Sequence, residues 1–266
     1  MNMKKIISTV LVLAAVASLA SAAGKKKTTL KVGATPEPHA EILNLIKADL
    51  KKQGITLKVV EFTDYVTPNK ALEDGQIDAN YFQHLPYLES FNKEQGTHLA
   101  SAAGIHIEPI ALYSKKHNSI ADIPAGANIG IPNDPTNEGR ALLLLQSAGL
   151  ITLKPSAGIT ATPLDIVSNP KNLKFTEVEA ASVPRILPDV EAAVINGNYA
   201  IPAGLNASKD GLFVEGADSP YVNVIAVKAG HENDEAIKAL SEAVKSAKVK
   251  EWIQKKYPNG DVIAVF

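Results

Sequence analysis

Short β-prone runs alternate with amphipathic helical stretches along this 266-residue chain, and the alternation restricts the folds that it can adopt. Such a pattern is typical of open, mostly parallel sheets that are covered by helices. The first strand is predicted at residues 29–34. A helix follows it, because Leu43, Ile46 and Leu50 recur at helical spacing before a capping Gly54. The sequence therefore predicts an α/β fold.

The later elements repeat this order. Further strands are predicted at residues 56–62, 77–81, 128–131, 174–178, 192–195 and 222–227. Further helices are predicted at residues 68–74, 85–95, 135–148, 234–247 and 248–255. Because the alternation restarts beyond residues 105–113, we expect two lobes with chain crossings near residues 111 and 224. The expected lobes are residues 28–111 with 224–266, and residues 112–223.

The segment over residues 1–23 has the pattern of a secretory signal peptide. Lys4 and Lys5 supply positive charge, and an almost wholly apolar run over residues 6–17 follows them. Small residues at 20–22 offer a cleavage site, so we expect an exported protein in the periplasm or at the cell surface. The apolar run is shorter than the roughly 20 residues that a membrane span needs.

Residues 19–21 would complete a bacterial lipoprotein signal if a cysteine came next, but Ala22 follows and the chain has no cysteine. A thioether-linked lipid is therefore impossible on this sequence, which puts membrane anchoring in doubt. Two explanations stay open: ordinary cleavage of a naturally unlipidated protein, and replacement of a natural cysteine by alanine. The missing thiols also exclude disulfides, zinc-thiolate sites and cysteine nucleophiles.

The strand-to-helix turns are the places to look for a site, because ligands of open α/β sheets bind beyond the carboxyl ends of the strands. In residues 132–140, Asp134 suits the N-cap of a helix and Pro135 suits its first position. Arg140 then falls in the second turn, where its guanidinium and the helix N-terminus favour a carboxylate. The alternative is a surface ion pair of Arg140 with Glu138 or another acid.

Three other turns carry unusual side chains. Residues 35–39 follow the first strand, and residues 80–87 hold three aromatic rings and a histidine. Asn196 follows an apolar strand, and Asn223 lies near the second expected crossing. The alternatives are that the rings belong to the core and that the asparagines form local turn hydrogen bonds.

Six stretches match the motifs of a known family. They are residues 64–69, 78–87, 132–145, 169–173, 193–200 and 219–223. With them the chain resembles the bacterial methionine-binding lipoproteins, which are the substrate-binding components of methionine ABC importers. The resemblance implies a two-lobed periplasmic-binding-protein type fold with a hinge between the lobes. It also implies that the protein captures methionine and delivers it to the membrane subunits of an ABC importer. L-methionine is the leading candidate for the ligand.

The resemblance implies a set of ligand-binding residues. The family's ligand contacts map onto Tyr65, Phe82, His84, Tyr87, Arg140, Asn196 and Asn223. In this set the guanidinium would hold the carboxylate, the two amides would bind the charged groups of an amino acid, and the aromatic rings would enclose the thioether. For His84 the alternative is a role in the core or in support of the residues that contact the ligand.

Other ligands and functions stay open. A methionine-containing dipeptide, D-methionine or another small amino acid could occupy the same pocket, because a missing methylene alters pocket binding by only roughly 1–3 kcal/mol. An enzyme on a two-lobed α/β scaffold is the alternative from another class, although the chain has no G-x-S-x-G elbow and no phosphate loop. The net charge of -1 gives no case for a nucleic-acid partner.

A metal-binding version of this architecture is the last alternative. His106 and Glu108 alternate on a β-prone run and so face the same way. However, the six histidines form no H-x-x-x-H pair, and two ligands do not complete a metal site. We therefore expect no metal and no cofactor.

Overall fold

The computed structural model describes residues 28–216 and 219–266, so the predicted signal segment and Ala22 lie outside the described residues. Its strands are β1 (Thr28–Ala34), β2 (Ile55–Glu61), β3 (Ala79–His84), β4 (Leu99–Ile107), β5 (Ala111–Tyr113), β6 (Asn128–Pro132), β7 (Thr152–Leu153), β8 (Ile166–Ser168), β9 (Lys174–Val178), β10 (Ala192–Ile195), β11 (Gly211–Val214), β12 (Val222–Lys228) and β13 (Ile263–Ala264).

The α-helices cover the faces of the sheets. They are α1 (Glu41–Lys52), α2 (Thr67–Glu73), α3 (Leu85–Gln95), α4 (Pro135–Ser147), α5 (Val183–Ile186), α6 (Gly197–Ala200), α7 (Ala207–Asp210), α8 (Glu235–Val244) and α9 (Ala247–Lys256). Within residues 28–216 and 219–266, no helix has the length and apolar character that a membrane span needs.

Two large sheets form the two lobes. The first has the strand order β13-β4-β12-β3-β1-β2, and the second has the order β11-β5-β10-β6-β9. In the first sheet β1 lies parallel to β2 and β3, whereas β12 lies antiparallel to both β3 and β4. In the second, β6 lies parallel to β9 and β10, whereas β5 is antiparallel to β10 and β11.

The predicted two-lobed α/β fold is confirmed, but the expectation of mostly parallel sheets is wrong. The antiparallel pairs include all four strands that flank the chain crossings. Strand β4 ends at Ile107 in the first sheet, and β5 begins at Ala111 in the second. On the return, β11 ends at Val214 and β12 begins at Val222. The lobe boundaries at residues 111/112 and 223/224 stay a prediction.

Most predicted elements have the expected ranges, and the largest difference is at β3. The helix over residues 85–95 and the strands over 174–178 and 192–195 have the predicted bounds. The strand predicted at residues 77–81 instead covers residues 79–84. It extends to His84 because β12 pairs with its second half, where Asn223 lies opposite His84. The polar and aromatic run after residue 80 is therefore largely a buried strand end and not a turn.

Each lobe has its own apolar core. In the first, one face of α1 is buried against the sheet and helix α8 through Ile42, Ile46 and Leu50. In the second, Leu142 and Leu145 of α4 belong to the apolar cluster that covers the sheet. Burying a leucine or isoleucine side chain stabilises a fold by about 1.5–3 kcal/mol, so these two helices are fixed firmly on their sheets.

Helix α4 begins as predicted and is packed unusually closely. Asp134 is its N-cap and accepts a hydrogen bond of 3.0 Å from the backbone N–H of Asn137. At Gly139 an added Cβ atom would lie 2.2 Å from the carbonyl oxygen of Ile159. The glycine therefore allows the segment Gly158–Thr160 to cross the first turns of the helix.

We expect Gly139→Ala to destabilise the protein by about 1–3 kcal/mol, as overpacking of a rigid contact does. Urea unfolding followed by circular dichroism measures the effect. Gly216→Ala is the control, because an added Cβ there meets no atom of the described residues within 4 Å. Equal stability of the two variants would contradict this account of the α4 packing.

Candidate ligand-binding site

A pocket lies between the lobes, and residues of both lobes line it. The seven residues predicted from the sequence all line it: Tyr65, Phe82, His84, Tyr87, Arg140, Asn196 and Asn223. Five further lining residues were not predicted, and they are Gln83, Glu108, Asn137, Gly197 and Asn198. The structure thus brings the predicted set together, while the contact of these residues with a ligand stays a prediction.

Arg140 is buried and is held by both chain crossings. Its Nε and Nη2 atoms donate to the Glu215 carboxylate at 2.9 and 2.5 Å, and Nη2 also donates to the carbonyl oxygen of Glu108 at 2.8 Å. The guanidinium lies 4.3 Å from the ring centroid of Tyr221. The alternative of an ion pair with an acid other than Glu138 is therefore right in its partner, which is Glu215. It is wrong in its place, because only 4% of Arg140 is exposed and Glu215 is half-buried.

His84 caps helix α3 and also bridges the lobes. Its Nδ1 accepts a hydrogen bond of 3.1 Å from the backbone N–H of Tyr87, so the ring proton resides on Nε2. Nε2 then donates across the cleft to Asn137 Oδ1 at 3.2 Å. Burial, and secondly the charge of Arg140, lower the pKa of His84 to about 3. The imidazole is therefore neutral near pH 7.

Asn137 orients a second amide of the cavity. Its Oδ1 accepts a hydrogen bond of 2.7 Å from Asn196 Nδ2, while its own Nδ2 donates to the Asp134 carboxylate at 2.9 Å. The other end of the Asn196 amide, Oδ1, is buried and has no hydrogen-bond partner among the described residues. A buried acceptor without a partner costs about 1–3 kcal/mol, so Asn196 Oδ1 suits a donor that a ligand supplies.

Three aromatic rings form one wall of the cavity. The ring centroid of Tyr65 lies 5.8 Å from that of Phe82 and 5.7 Å from that of Tyr87. The Tyr87 hydroxyl donates to the backbone carbonyl of Tyr65 at 2.9 Å. The Tyr65 hydroxyl donates to Asn198 Oδ1 of the opposite lobe at 2.5 Å. The wall is therefore apolar on its inner side and fixed by hydrogen bonds at its edges.

The pair His106 and Glu108, noted in the sequence, is joined by a third residue. His39 follows β1 and lies with its Nε2 3.3 Å from Glu108 Oε1, while His106 Nε2 lies 2.7 Å from the same oxygen. The sequence placed His39 in an unusual turn but did not predict its contact with Glu108, because the pairing of β1, β3, β12 and β4 in one sheet brings it to the cluster. Glu108 connects this cluster to the cavity.

The comparisons with known proteins agree with this geometry. Two α/β lobes around a central cavity define a two-lobed binding protein of the periplasmic type. A family model described as NlpA lipoprotein matches residues 30–266, so the chain belongs to the NlpA lipoprotein family.

Several relatives and solved structures are similar over nearly the whole chain. The chain is 46% identical to the membrane lipoprotein TpN32 of Treponema pallidum, with 89% of this chain and 88% of that protein covered. It is 44% identical to the D-methionine-binding lipoprotein MetQ of Escherichia coli K12, with 90% and 89% covered. A nutrient binding protein from Burkholderia cenocepacia, solved bound to methionine, is 48% identical with a TM-score of 0.86 and covers 89% of this chain and 100% of its own.

One buried carboxyl group of α4 lies outside the cavity. Glu138 is only 7% exposed, and burial, then Glu177 and Asp134, raise its pKa to about 7. A carboxyl group whose pKa is raised in the folded state stabilises the fold below its ordinary pKa, and this stability is lost as the pH rises towards the raised value.

Glu138→Gln should therefore match the native protein in melting temperature near pH 4 and exceed it increasingly from about pH 4.5 to 7, the interval between the ordinary and raised pKa values. Thermal melts across this pH range measure the difference. The exposed Glu61, changed to Gln, is the control. A difference that stays constant with pH would contradict the burial of a charge at residue 138.

Proposed function

We propose that this protein is an extracytoplasmic solute-binding protein that captures methionine between its lobes and presents it to the membrane subunits of an ABC importer. The observation that carries the proposal is the meeting of the Arg140 guanidinium and an aromatic wall in one interlobe cavity. The relatives named for binding D-methionine and the related structure bound to methionine support it. A binding protein of this kind releases its ligand chemically unchanged.

The ligand carboxylate would bind Arg140. Nε and Nη2 of Arg140 already donate to Glu215 within the protein. The ligand carboxylate would therefore bind Nη1, so that the ligand and Glu215 would share the guanidinium. The guanidinium belongs to α4, near the end whose dipole favours negative charge. Arg140 would therefore offer only part of its guanidinium to the ligand, because Nε and Nη2 already donate to Glu215.

The ligand ammonium would bind other acceptors that line the cavity. Asn196 Oδ1 lacks a partner among the described residues, and the buried carboxyl group of Glu108 also lines the cavity. Asn223 Oδ1 already lies 3.0 Å from His39 Nε2, so this amide would offer its Nδ2 to the ligand carboxylate. A buried zwitterion is tolerated only when both charges are paired or hydrogen-bonded, and these groups provide for both.

The thioether would lie against the aromatic wall of Tyr65, Phe82 and Tyr87. Sulfur-aromatic contacts contribute about 0.3–1.5 kcal/mol each, beyond the burial of the methylene groups. His84, neutral and fixed by two hydrogen bonds, would close this part of the cavity and orient Asn137. Its role would combine a wall of the site with support for Asn196.

Closure of the lobes would follow from the contacts that cross the cleft. The Tyr65 hydroxyl donates to Asn198 Oδ1 at 2.5 Å, and the Tyr199 hydroxyl donates to the carbonyl oxygen of Thr63 at 3.2 Å. A ligand that touches both lobes adds to these contacts only in the closed state and so shifts the equilibrium towards it. For this motion we propose residues 28–111 with 224–266 as one lobe and 112–223 as the other, and the importer would recognise the closed shape.

We propose L-methionine as the first ligand, with D-methionine, a methionine-containing dipeptide and other small amino acids as the competing ligands. Titration calorimetry of protein that has been unfolded, freed of co-purified ligand and refolded would rank them. Binding of methionine at least about tenfold more tightly than alanine is the expected result, because the longer side chain buries additional methylene groups and sulfur. No heat with any amino acid would contradict the proposed function.

Arg140→Ala should weaken methionine binding at least about tenfold, because a buried carboxylate loses its charged partner. Calorimetry on the same refolded protein measures the change. Arg185→Ala is the matched control in the second lobe, since Arg185 is exposed and donates only to Ser182 at the surface. Unchanged affinity in the Arg140 variant would remove this residue from the site.

Phe82→Ala should weaken the binding of methionine more than the binding of alanine, since only methionine has a side chain long enough to reach the ring. The ratio of the two affinities should fall by about two- to tenfold, the range expected from one lost sulfur-aromatic contact. Parallel titrations with both amino acids measure this ratio. Equal losses for the two ligands would show that Phe82 supports the fold of the site without contacting the side chain.

A further inference from the structure

We infer that His39 and His106 are positioning residues, which hold the Glu108 carboxylate in place so that it selects a ligand with an ammonium group. The inference rests on the proposed function and deepens it, because it assigns the preference for an amine to residues that do not line the cavity themselves. Both histidines are fully buried beside it.

The two rings converge on one carboxylate oxygen. His106 Nε2 lies 2.7 Å and His39 Nε2 lies 3.3 Å from Glu108 Oε1. His39 Nε2 also lies 3.0 Å from Asn223 Oδ1, so this nitrogen faces two acceptors and must carry the ring proton. The acceptors alone therefore fix the tautomer of His39.

The opposite nitrogens of the two rings face hydroxyl groups. Thr35 Oγ1 lies 2.8 Å from His39 Nδ1, and the Tyr81 hydroxyl contacts His106 Nδ1. A hydroxyl can donate to an unprotonated ring nitrogen, which leaves Nε2–H of each ring directed at Glu108. Thr35 Oγ1 can in addition accept the amide N–H of Asn198 at 3.5 Å, which leaves its own proton for His39.

The histidines thus supply hydrogen-bond donors without supplying charge. Burial lowers the pKa of His39 to about 4 and that of His106 to about 3, so both rings are neutral near pH 7. Burial also raises the pKa of Glu108, and His39, then the charge of Arg140 and the backbone N–H of Asn198, oppose this effect. N–H donors around a carboxyl group stabilise its anion.

The second lobe completes this arrangement at Gly197. An added Cβ there would lie 2.9 Å from Glu108 Oε2 and 2.8 Å from Glu108 Cβ, so only a glycine lets the start of α6 approach so closely. Glu108 is therefore oriented by two histidines of the first lobe and enclosed by the second. The charge that faces the cavity is best enclosed when the lobes are closed, and a ligand ammonium beside it would be paired there.

The same three residues resemble part of a metal site, since their ligand atoms lie within 4.8 Å of one another. The 2.7 Å separation of His106 Nε2 and Glu108 Oε1 is, however, that of a charge-assisted hydrogen bond. Each ring nitrogen also has a hydrogen-bond partner in the protein. The geometry therefore favours the hydrogen-bonded arrangement, and the metal becomes an outcome of the test.

The experiment compares L-methionine with 4-(methylsulfanyl)butanoate, which has the same carboxylate and thioether but no amine. His106→Leu should weaken methionine binding at least about tenfold and leave the amine-free acid within about twofold, since only the amine depends on Glu108. His106→Gln keeps an N–H donor at nearly the same place and should restore most of the preference for methionine. Calorimetry with both ligands on refolded protein measures the two ratios.

Glu108→Gln keeps the shape of the cluster and tests the same point if His106→Leu does not fold. It should lower the preference for methionine over the amine-free acid at least about tenfold, as expected for losing a charged acceptor. Equal losses of both ligands, or a stoichiometric metal found by elemental analysis of the native protein, would overturn the inference. If the native protein binds neither ligand, the proposed function itself fails. If it binds methionine with a preference that is independent of His106, only this inference fails.

Discussion

The ion pair between Arg140 and Glu215 is the interaction on which the rest of the site depends. Arg140 belongs to α4 in the second lobe. Its two partners, the Glu215 carboxylate and the Glu108 carbonyl, belong to the two chain crossings. An unpaired guanidinium could not stay buried at this depth, so both crossings must lie where they do for the charge to be satisfied. The orientation of Arg140 towards the cavity is thus set by the hinge itself.

A second constraint is that several polar side chains of the cavity are held by hydrogen bonds within the protein. Asn137 accepts hydrogen bonds from His84 and Asn196, and it is itself held by the Asp134 carboxylate at the start of α4. The single N-cap therefore stabilises a helix and at the same time orients a chain of amides. A site with fixed polar groups loses little conformational entropy on binding, which favours both affinity and selection among similar amino acids.

Local signals in the sequence predicted the elements that carry the site, and long-range pairing explains what they did not predict. Asp134 and Pro135 mark the start of α4 through backbone chemistry alone, and the resemblance to a known family supplied the seven cavity residues. The contacts of His39 and Glu215 could not be predicted in this way, because their partners lie far along the chain. The small residues at the start of β4 likewise gave no strand signal, and pairing with β12 defines that part of the strand.

The two crossings also lie side by side, because the backbone N–H of Glu215 donates to the carbonyl oxygen of Ile110 at 2.9 Å. Two adjacent connections favour a hinge motion of the lobes about the line that joins them. The lobes would then separate first at the edge farthest from residues 110 and 215. A solute held between the lobes would therefore leave at that edge.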